Sequence, residues 1–404
     1  MLSIRRRQRT KLQEAVMNSR AIKAVARHRT PKVLHIGKFY PPHVGGMETH
    51  IYQLCNELKR SIDVEVIVAS DTRKTTVETI DDVKITRVGT LLNFSAAPVC
   101  PAMVSAIRNT NADIVHMHLP NPTATLAYLA SRHRGRLVVT YHSDIIRQKF
   151  LGMAYWPVLR HTLDKAYAII VGSPNYIATS RALGKYSNKC RVIPFGIPFE
   201  QFQEMDSSEV AKIRSRFGSR IVLGVGRLVY YKGFEFLIRA MKDVNGQLLI
   251  VGDGPLRGQL EQEAHSLGLS ERVTFVTDAK DVSHYYHAAD VFVLSSIARS
   301  EAFGIVQLEA MACGVPVVNT ALDSGVTFVS KHGLTGLTVP PEDASALGKA
   351  ISTLLDDPTL REKCGAAGRR RVEQEFSLKM MTQRTLELYG VLELHNAATG
   401  HGGR

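Results

Sequence analysis

Glu301 and Glu309, with seven residues between them, frame the run Ser300-Glu301-Ala302-Phe303-Gly304-Ile305-Val306-Gln307-Leu308-Glu309. Apolar residues at 305, 308, 311 and 312 recur at helical spacing, which predicts a helix opening at Phe303 to Ile305. Unpaired amides and the helix dipole at such an end attract an anion. A carboxylate at 301 would repel a phosphate there, so Glu301 is expected to meet neutral hydroxyls attached to that phosphate, as on a sugar. Glu309, two turns deeper, could reach another hydroxyl. The same spacing also fits two glutamates that cap a helix and pair with surface lysines.

Further polar groups gather at predicted strand ends. Gly226-Arg227-Leu228 and Lys232-Gly233 follow the strand-like Ile221 to Val225 and supply two cations five residues apart, suited to a diphosphate: Arg227 as a planar fork, Lys232 as a point charge. Gly45 and Gly46 follow the strand Lys32 to Gly37 and allow backbone to approach a bulky anion, although the spacing is not G-x-G-x-x-G. His116, His118 and His142 close two other strands, with the cations Arg147 and Lys149 just beyond as candidates for a phosphate. His116 and His118 share a strand face, but no third nearby Cys or Asp completes a metal site. Val251-Gly252-Asp253-Gly254-Pro255 reads as a structural strand-to-helix turn with Pro255 at the first helical position.

Strands and helices alternate around these groups. Lys32 to Gly37, Val64 to Ala69, Ile114 to His118 and Leu137 to Thr140 form one series of strands, with a helix over Gly46 to Lys59. Ile221 to Val225, Gln247 to Val251, Val273 to Val276, Val291 to Leu294 and Pro316 to Asn319 form a second. The pattern predicts two doubly wound, mostly parallel α/β domains, which bind ligands outside the C-terminal strand ends, in a cleft between them. Expected boundaries are a basic arm over 1–30, a first domain over 31–205, a second over 206–376, a crossover helix over 377–395 and a flexible tail over 396–404.

The Ser-Glu-Ala-Phe-Gly loop with its E-x7-E spacing, the G-R-L-x-x-x-K-G pattern at 226–233 and the Gly45-Gly46 loop together resemble the retaining glycosyltransferases of family 4, which have the GT-B fold. The likeness extends over about residues 32 to 390 and implies that the first domain, 31–205, takes the acceptor and the second, 206–376, the nucleotide sugar. It implies metal-independent transfer of a hexose from a nucleotide diphosphate sugar to a hydroxyl, with retention at the anomeric carbon. Catalytic roles fall on His142, Glu301, Arg227 and Lys232, and donor binding on Gly45, Gly46, Arg227, Lys232, Glu301, Ala302, Phe303, Gly304, Ile305 and Glu309. His118, Arg147 and Lys149 are the acceptor candidates, and the base is expected near Thr277-Asp278. The wording of 141–149 and 318–326 is similar to bacterial O-antigen and exopolysaccharide enzymes. This favours GDP-mannose as donor and a polyprenyl-diphosphate-linked glycan as acceptor, with UDP-hexose or dTDP-rhamnose as alternatives. A nucleotide-sugar epimerase, a phosphorylase and a silent sugar-nucleotide scaffold are the competing readings. Glu301→Ala is expected to abolish transfer while leaving the melting temperature nearly unchanged.

The 404 residues carry a net charge of +14, of which +8 lies in residues 1–30, where nine Lys/Arg face the single acid Glu14. That arm suits an anionic membrane surface, worth about 1 kcal/mol per basic residue, better than nucleic acid; a solvated tail or transit peptide has the same composition. Five scattered cysteines without a C-x-x-C pair read as reduced thiols, and no apolar stretch approaches a membrane span. A cytoplasmic enzyme, peripheral on the inner face of the membrane, is the expectation, with no cofactor beyond the sugar nucleotide.

Overall fold

Neighbouring residues in the strand Ile221–Val225 are all buried, yet they belong to opposite cores: Ile221, Leu223 and Val225 to one, Val222 to the other. Only a strand covered on both faces reads as an unbroken apolar run. The computed structural model describes residues 30–43, 45–94, 97–144 and 149–391. The basic arm before residue 30, Arg147 and the tail after 391 lie outside them. Contacts divide the chain into two units, one formed by residues up to Val138 with Lys165–Tyr167 and Thr382 onward, the other by Val139–Asp164 and Ala168–Met381.

In the first unit, β1 (Lys32–Ile36), β2 (Asp63–Ala69), β4 (Val83–Val88) and β7 (Ile114–Leu119) run parallel in the order β7-β1-β2-β4, with β3 (Thr76–Ile80) antiparallel to β4. A small hairpin pairs β5 (Leu92–Phe94) with β6 (Ala97–Val99). β8 (Arg136–Tyr141) carries the chain across the division. The helix Gly46–Leu58 follows β1, and the helix Pro122–Ser131 is started by Asn121, whose side chain accepts from Ala124 N–H. The helix Leu378–Tyr389 passes from the second unit into the first, where the Tyr389 hydroxyl lies 2.6 Å from His116 Nδ1.

In the second unit β9 (Ala168–Val171) and β10 (Cys190–Val192) form a parallel pair. The main sheet is fully parallel, in the order β13 (Val273–Val276), β12 (Gln247–Val251), β11 (Ile221–Val225), β14 (Val291–Leu294), β15 (Val317–Thr320), β16 (Gly336–Val339). Helices Phe234–Ala240, Arg257–Ser266 and Ala344–Asp356 cover one face. Ser283–Ala288, Ile305–Ala312 and Pro358–Glu375 cover the other. Pro255 sits in a turn and the helix starts at Arg257, two residues later than its ring suggested; Gly252 and Gly254 fix the turn instead. No helix among the described residues is long and apolar enough to cross a membrane, and the five cysteines form no disulfide.

Gly252 has φ +139°, and a Cβ there would lie 2.2 Å from the Gly226 carbonyl oxygen. Gly252→Ala should therefore lower stability by about 1–3 kcal/mol and disturb the loop that bears Lys232. Chemical denaturation with two probes measures the loss.

Candidate functional site

β11 and β14 are adjacent, with Leu223 paired to Phe292, so the loops leaving their C-terminal ends emerge side by side. One carries Arg227 and Lys232, the other Glu301. Lys232 Nζ donates to Glu301 Oε2 at 2.6 Å, and the two residues are 9% and 8% exposed. Ser296 Oγ gives the same carboxylate oxygen a second hydrogen bond at 3.1 Å. Burial works against the Lys232 ammonium, but the Glu301 carboxylate outweighs it and leaves its pKa above the ordinary lysine value. Glycines admit the side chain: a Cβ at Gly226, φ +147°, would stand 3.3 Å from Lys232 Cε, and one at Gly233 would meet the Ser295 carbonyl oxygen at 2.3 Å. Arg227 remains exposed.

The helix Ile305–Ala312 starts where the apolar spacing placed it, with Gly304 at its cap in the left-handed region, φ +75°. Gln307 and Asn319, both wholly buried, lock that start: Asn319 Nδ2 donates to Gln307 Oε1 at 2.9 Å, and Gln307 Nε2 donates to the Phe303 carbonyl at 3.3 Å. The Ala302 carbonyl accepts from Gly325 N–H at 2.8 Å, while Phe303 is 4% exposed. Ala302, Phe303, Gly304 and Ile305 thus form a fixed backbone turn beside the Lys232–Glu301 pair. Glu309 takes a 2.7 Å hydrogen bond from the buried Tyr286 hydroxyl. Desolvation raises its carboxyl pKa, opposed by the Tyr286 bond and the Lys232 charge.

His142 stacks on Phe195 with ring centroids 5.2 Å apart, and Phe195 meets Phe303 edge-on at 5.0 Å. Packing therefore links His142 to the glutamate loop within the second unit. Two residues on, Asp144 accepts from the Tyr141 and Ser180 hydroxyls at 2.9 and 2.7 Å and lies 3.6 Å from Arg299. The sequence reading passed over Arg299, and only its place two residues before Glu301 could have drawn notice. Thr277 and Asp278 form an exposed loop after β13.

Of the remaining candidates, Gly45, Gly46 and His118 belong to the first unit and Lys149 to the second. Gly45 caps the helix Gly46–Leu58 with extended backbone, φ −177°. A Cβ at Gly46 would meet nothing within 4 Å. Packing gives no reason for glycine there, whereas at Gly45 a Cβ would lie 2.4 Å from Glu48 Oε2. Lys149 is the first residue of the helix Lys149–Lys165. His118, expected at an acceptor, is wholly buried, its Nε2 3.1 Å from His35 Nδ1.

Register supplies a third imidazole that the sequence could not place: His35 on β1 is paired with His116 on β7. His35, His116 and His118 bring ring nitrogens within 4.8 Å of one another, a set that could hold a metal ion, although no carboxylate is part of it. Burial, then the charge of His50, holds His35 down at about 3, and burial holds His50 at about 4.

Two regions of the chain match known families: residues 44–201 the one described as Glycosyltransferase Family 4, and residues 207–371 the one described as Glycosyl transferases group 1. An O-antigen chain mannosyltransferase C from Escherichia coli is 33% identical over 367 residues, covering 89% of this chain and 98% of that protein. A D-rhamnosyltransferase from Pseudomonas aeruginosa is 33% identical over 352 residues, covering 86% and 92%. A sucrose-phosphate synthase from Thermosynechococcus elongatus superposes with a TM-score of 0.77 at 27% identity, over 90% of this chain and 99% of that one. The chain belongs to the family 4 glycosyltransferases of GT-B fold, and it is a hexosyltransferase.

The buried pair revises the stability expectation for Glu301, because its removal would strand a buried ammonium. Glu301→Ala should lower stability by about 3–5 kcal/mol, and adding Lys232→Met should restore most of that without restoring activity; thermal melts of the two variants decide it. The buried histidines set an acid limit. Neutral when folded and protonated when unfolded below about pH 6.5, they favour the unfolded chain increasingly as pH falls from there toward 4. Melting temperature should drop over that interval, and less steeply in His35→Gln.

Proposed function

We propose that the chain transfers a mannose-configured hexose from a nucleotide diphosphate, GDP-mannose by preference, to a hydroxyl of a lipid-linked glycan in cell-surface polysaccharide synthesis, with retention. The supporting observation is the convergence of Lys232, Glu301 and the Gly304 helix start, which offers charge for a diphosphate and a carboxylate for sugar hydroxyls. The two relatives named for mannosyl and rhamnosyl transfer favour this donor class, since rhamnose is mannose without its 6-hydroxyl.

In the proposed reaction Arg227, Lys232 and the amides at 303–305 stabilise the negative charge that grows on the leaving diphosphate. Lys232 exchanges the Glu301 carboxylate for phosphate oxygen, which frees Glu301 to hold the sugar. Glu309 binds the ribose, and His142 lies near the reacting face. A diphosphate oxygen takes the acceptor proton on the face the leaving group departs from, which gives retention without a protein nucleophile. Gly45 and Gly46 contribute amides to the donor, while Arg147 and Lys149 serve an acceptor phosphate. The basic arm over 1–30 meets anionic lipid on the cytoplasmic leaflet, where this class of acceptor would lie.

Thermal stabilisation by GDP-mannose, GDP-rhamnose, UDP-glucose, UDP-N-acetylglucosamine and dTDP-rhamnose, without added metal, tests the reading. Ligand at about 100 times its dissociation constant should add roughly 2.7 kcal/mol. GDP-mannose should stabilise the chain most, and Arg227→Ala should weaken that effect at least tenfold in apparent affinity. Equal or absent stabilisation by all five rejects the donor assignment.

A further inference from the structure

Three imidazoles meet on one face of the first unit's sheet. Side chains alternate along β7, so His116 and His118 point the same way, and the parallel pairing of His116 with His35 on β1 puts the third ring on that face as well. All three residues are wholly buried. We propose that His35, His116 and His118 together hold one first-row transition metal ion, a structural ion that joins β1 and β7 to the last helix.

Donor chemistry is the first argument. Neutral imidazole is an ordinary ligand for zinc, cobalt and copper, and three imidazoles suffice as the protein's share of a four-coordinate site. The ring nitrogens of this set lie within 4.8 Å of one another. His35 Nδ1 and His118 Nε2 are 3.1 Å apart, a distance at which they share one proton as a hydrogen bond. Metal bonds of about 2 Å at tetrahedral angles put two ligand nitrogens about 3.3 Å apart, so an ion takes the place of that proton with little movement of either ring. A modest turn of the His116 ring brings its nitrogen to the same point.

Hydrogen bonding within the protein does not account for His35. Its Nε2 is buried and has no hydrogen-bond partner among the described residues. An imidazole that served only as a neutral core group would be paired at both nitrogens, and a buried polar atom left over is destabilising. Such an atom is a mark of a role that the protein's own groups do not fill.

An outer partner is present as well. The Tyr389 hydroxyl lies 2.6 Å from His116 Nδ1, and a metal-bound imidazole is held in this way, through its second nitrogen, by a neighbouring oxygen. Arg136 donates to the Tyr389 carbonyl, so the residue that ends the helix Leu378–Tyr389 is fixed from two sides. The three ligands belong to the first unit, whereas Arg227 and Lys232, assigned to the diphosphate, belong to the second. The ion therefore serves the fold, and the inference stands apart from the choice of donor. No carboxylate belongs to the set. Water bound to a three-imidazole ion ionises near neutral pH, and the resulting hydroxide offsets part of the buried charge.

Metal analysis of the untagged full chain tests the assignment. The chain is produced in separate cultures with added zinc, cobalt or copper, then dialysed against EDTA to strip surface ions. Wild type is expected to retain about one equivalent of at least one of the three, and to melt higher than the chain produced without added metal. Cobalt in the site should show the visible absorption of a four-coordinate ion. His35→Gln should lose the ion, and Tyr389→Phe, which keeps all three ligands, should weaken retention against a competing chelator about tenfold. Should His35→Gln not fold, Tyr389→Phe decides alone. The site is overturned if wild type retains none of the three ions, or if the variants retain as much as wild type, which would mark an adventitious ion only.

Discussion

An ammonium and a carboxylate 2.6 Å apart, both nearly out of water, are tolerable only where the surrounding backbone delivers them to one point. Much of the second unit serves that requirement. Parallel pairing of β11 with β14 brings the two loops together. Gly226 and Gly233 take conformations that leave room for the lysine stem, and Gly252 lets the β12 loop press against Gly226. The Gln307–Asn319 amide pair then fixes the turn after Glu301 from beneath, through side chains that never reach the surface.

The sequence was most legible where a single physical pattern dominated. Continuous apolar runs located the central strands of both series to within a residue or so, because burial on both faces leaves no place for polar side chains. Elements with mixed exposure or few residues escaped: β3 is exposed along most of its length, and β5, β6, β10 and β16 are short, while β9, a fully buried run of four apolar residues, was passed over. Among site residues, motif-bearing loops were recognisable by composition, but partnership was not. Nothing in the spacing of Lys232 and Glu301 said that they neutralise each other, and so the stability expectation for Glu301 took no account of the pair. His35 went unnoticed for a related reason. Its neighbours are set by strand register, which places it opposite a residue 81 positions away.

The first unit uses its polar interior differently. Its buried imidazoles include His35 on β1 and His116 on β7, and at the end of the chain His116 meets Tyr389 while Arg136 donates to the Tyr389 carbonyl. Neutral imidazole suits such a place because it can donate at one nitrogen and accept at the other without bringing a charge. The last helix is thereby joined to the first unit by hydrogen bonds as well as by packing.

Gly46 has a consequence of another kind. At most glycines in this chain an added methyl would strike backbone or a packed side chain, so folding alone explains the residue. At Gly46 the methyl would enter empty space, and an alanine would limit the unfolded chain and stiffen the first turn of the helix, a gain of about 0.4–1 kcal/mol. The chain thus forgoes stability at a position where its own packing asks for nothing, as it also does at Gly184 and Gly258.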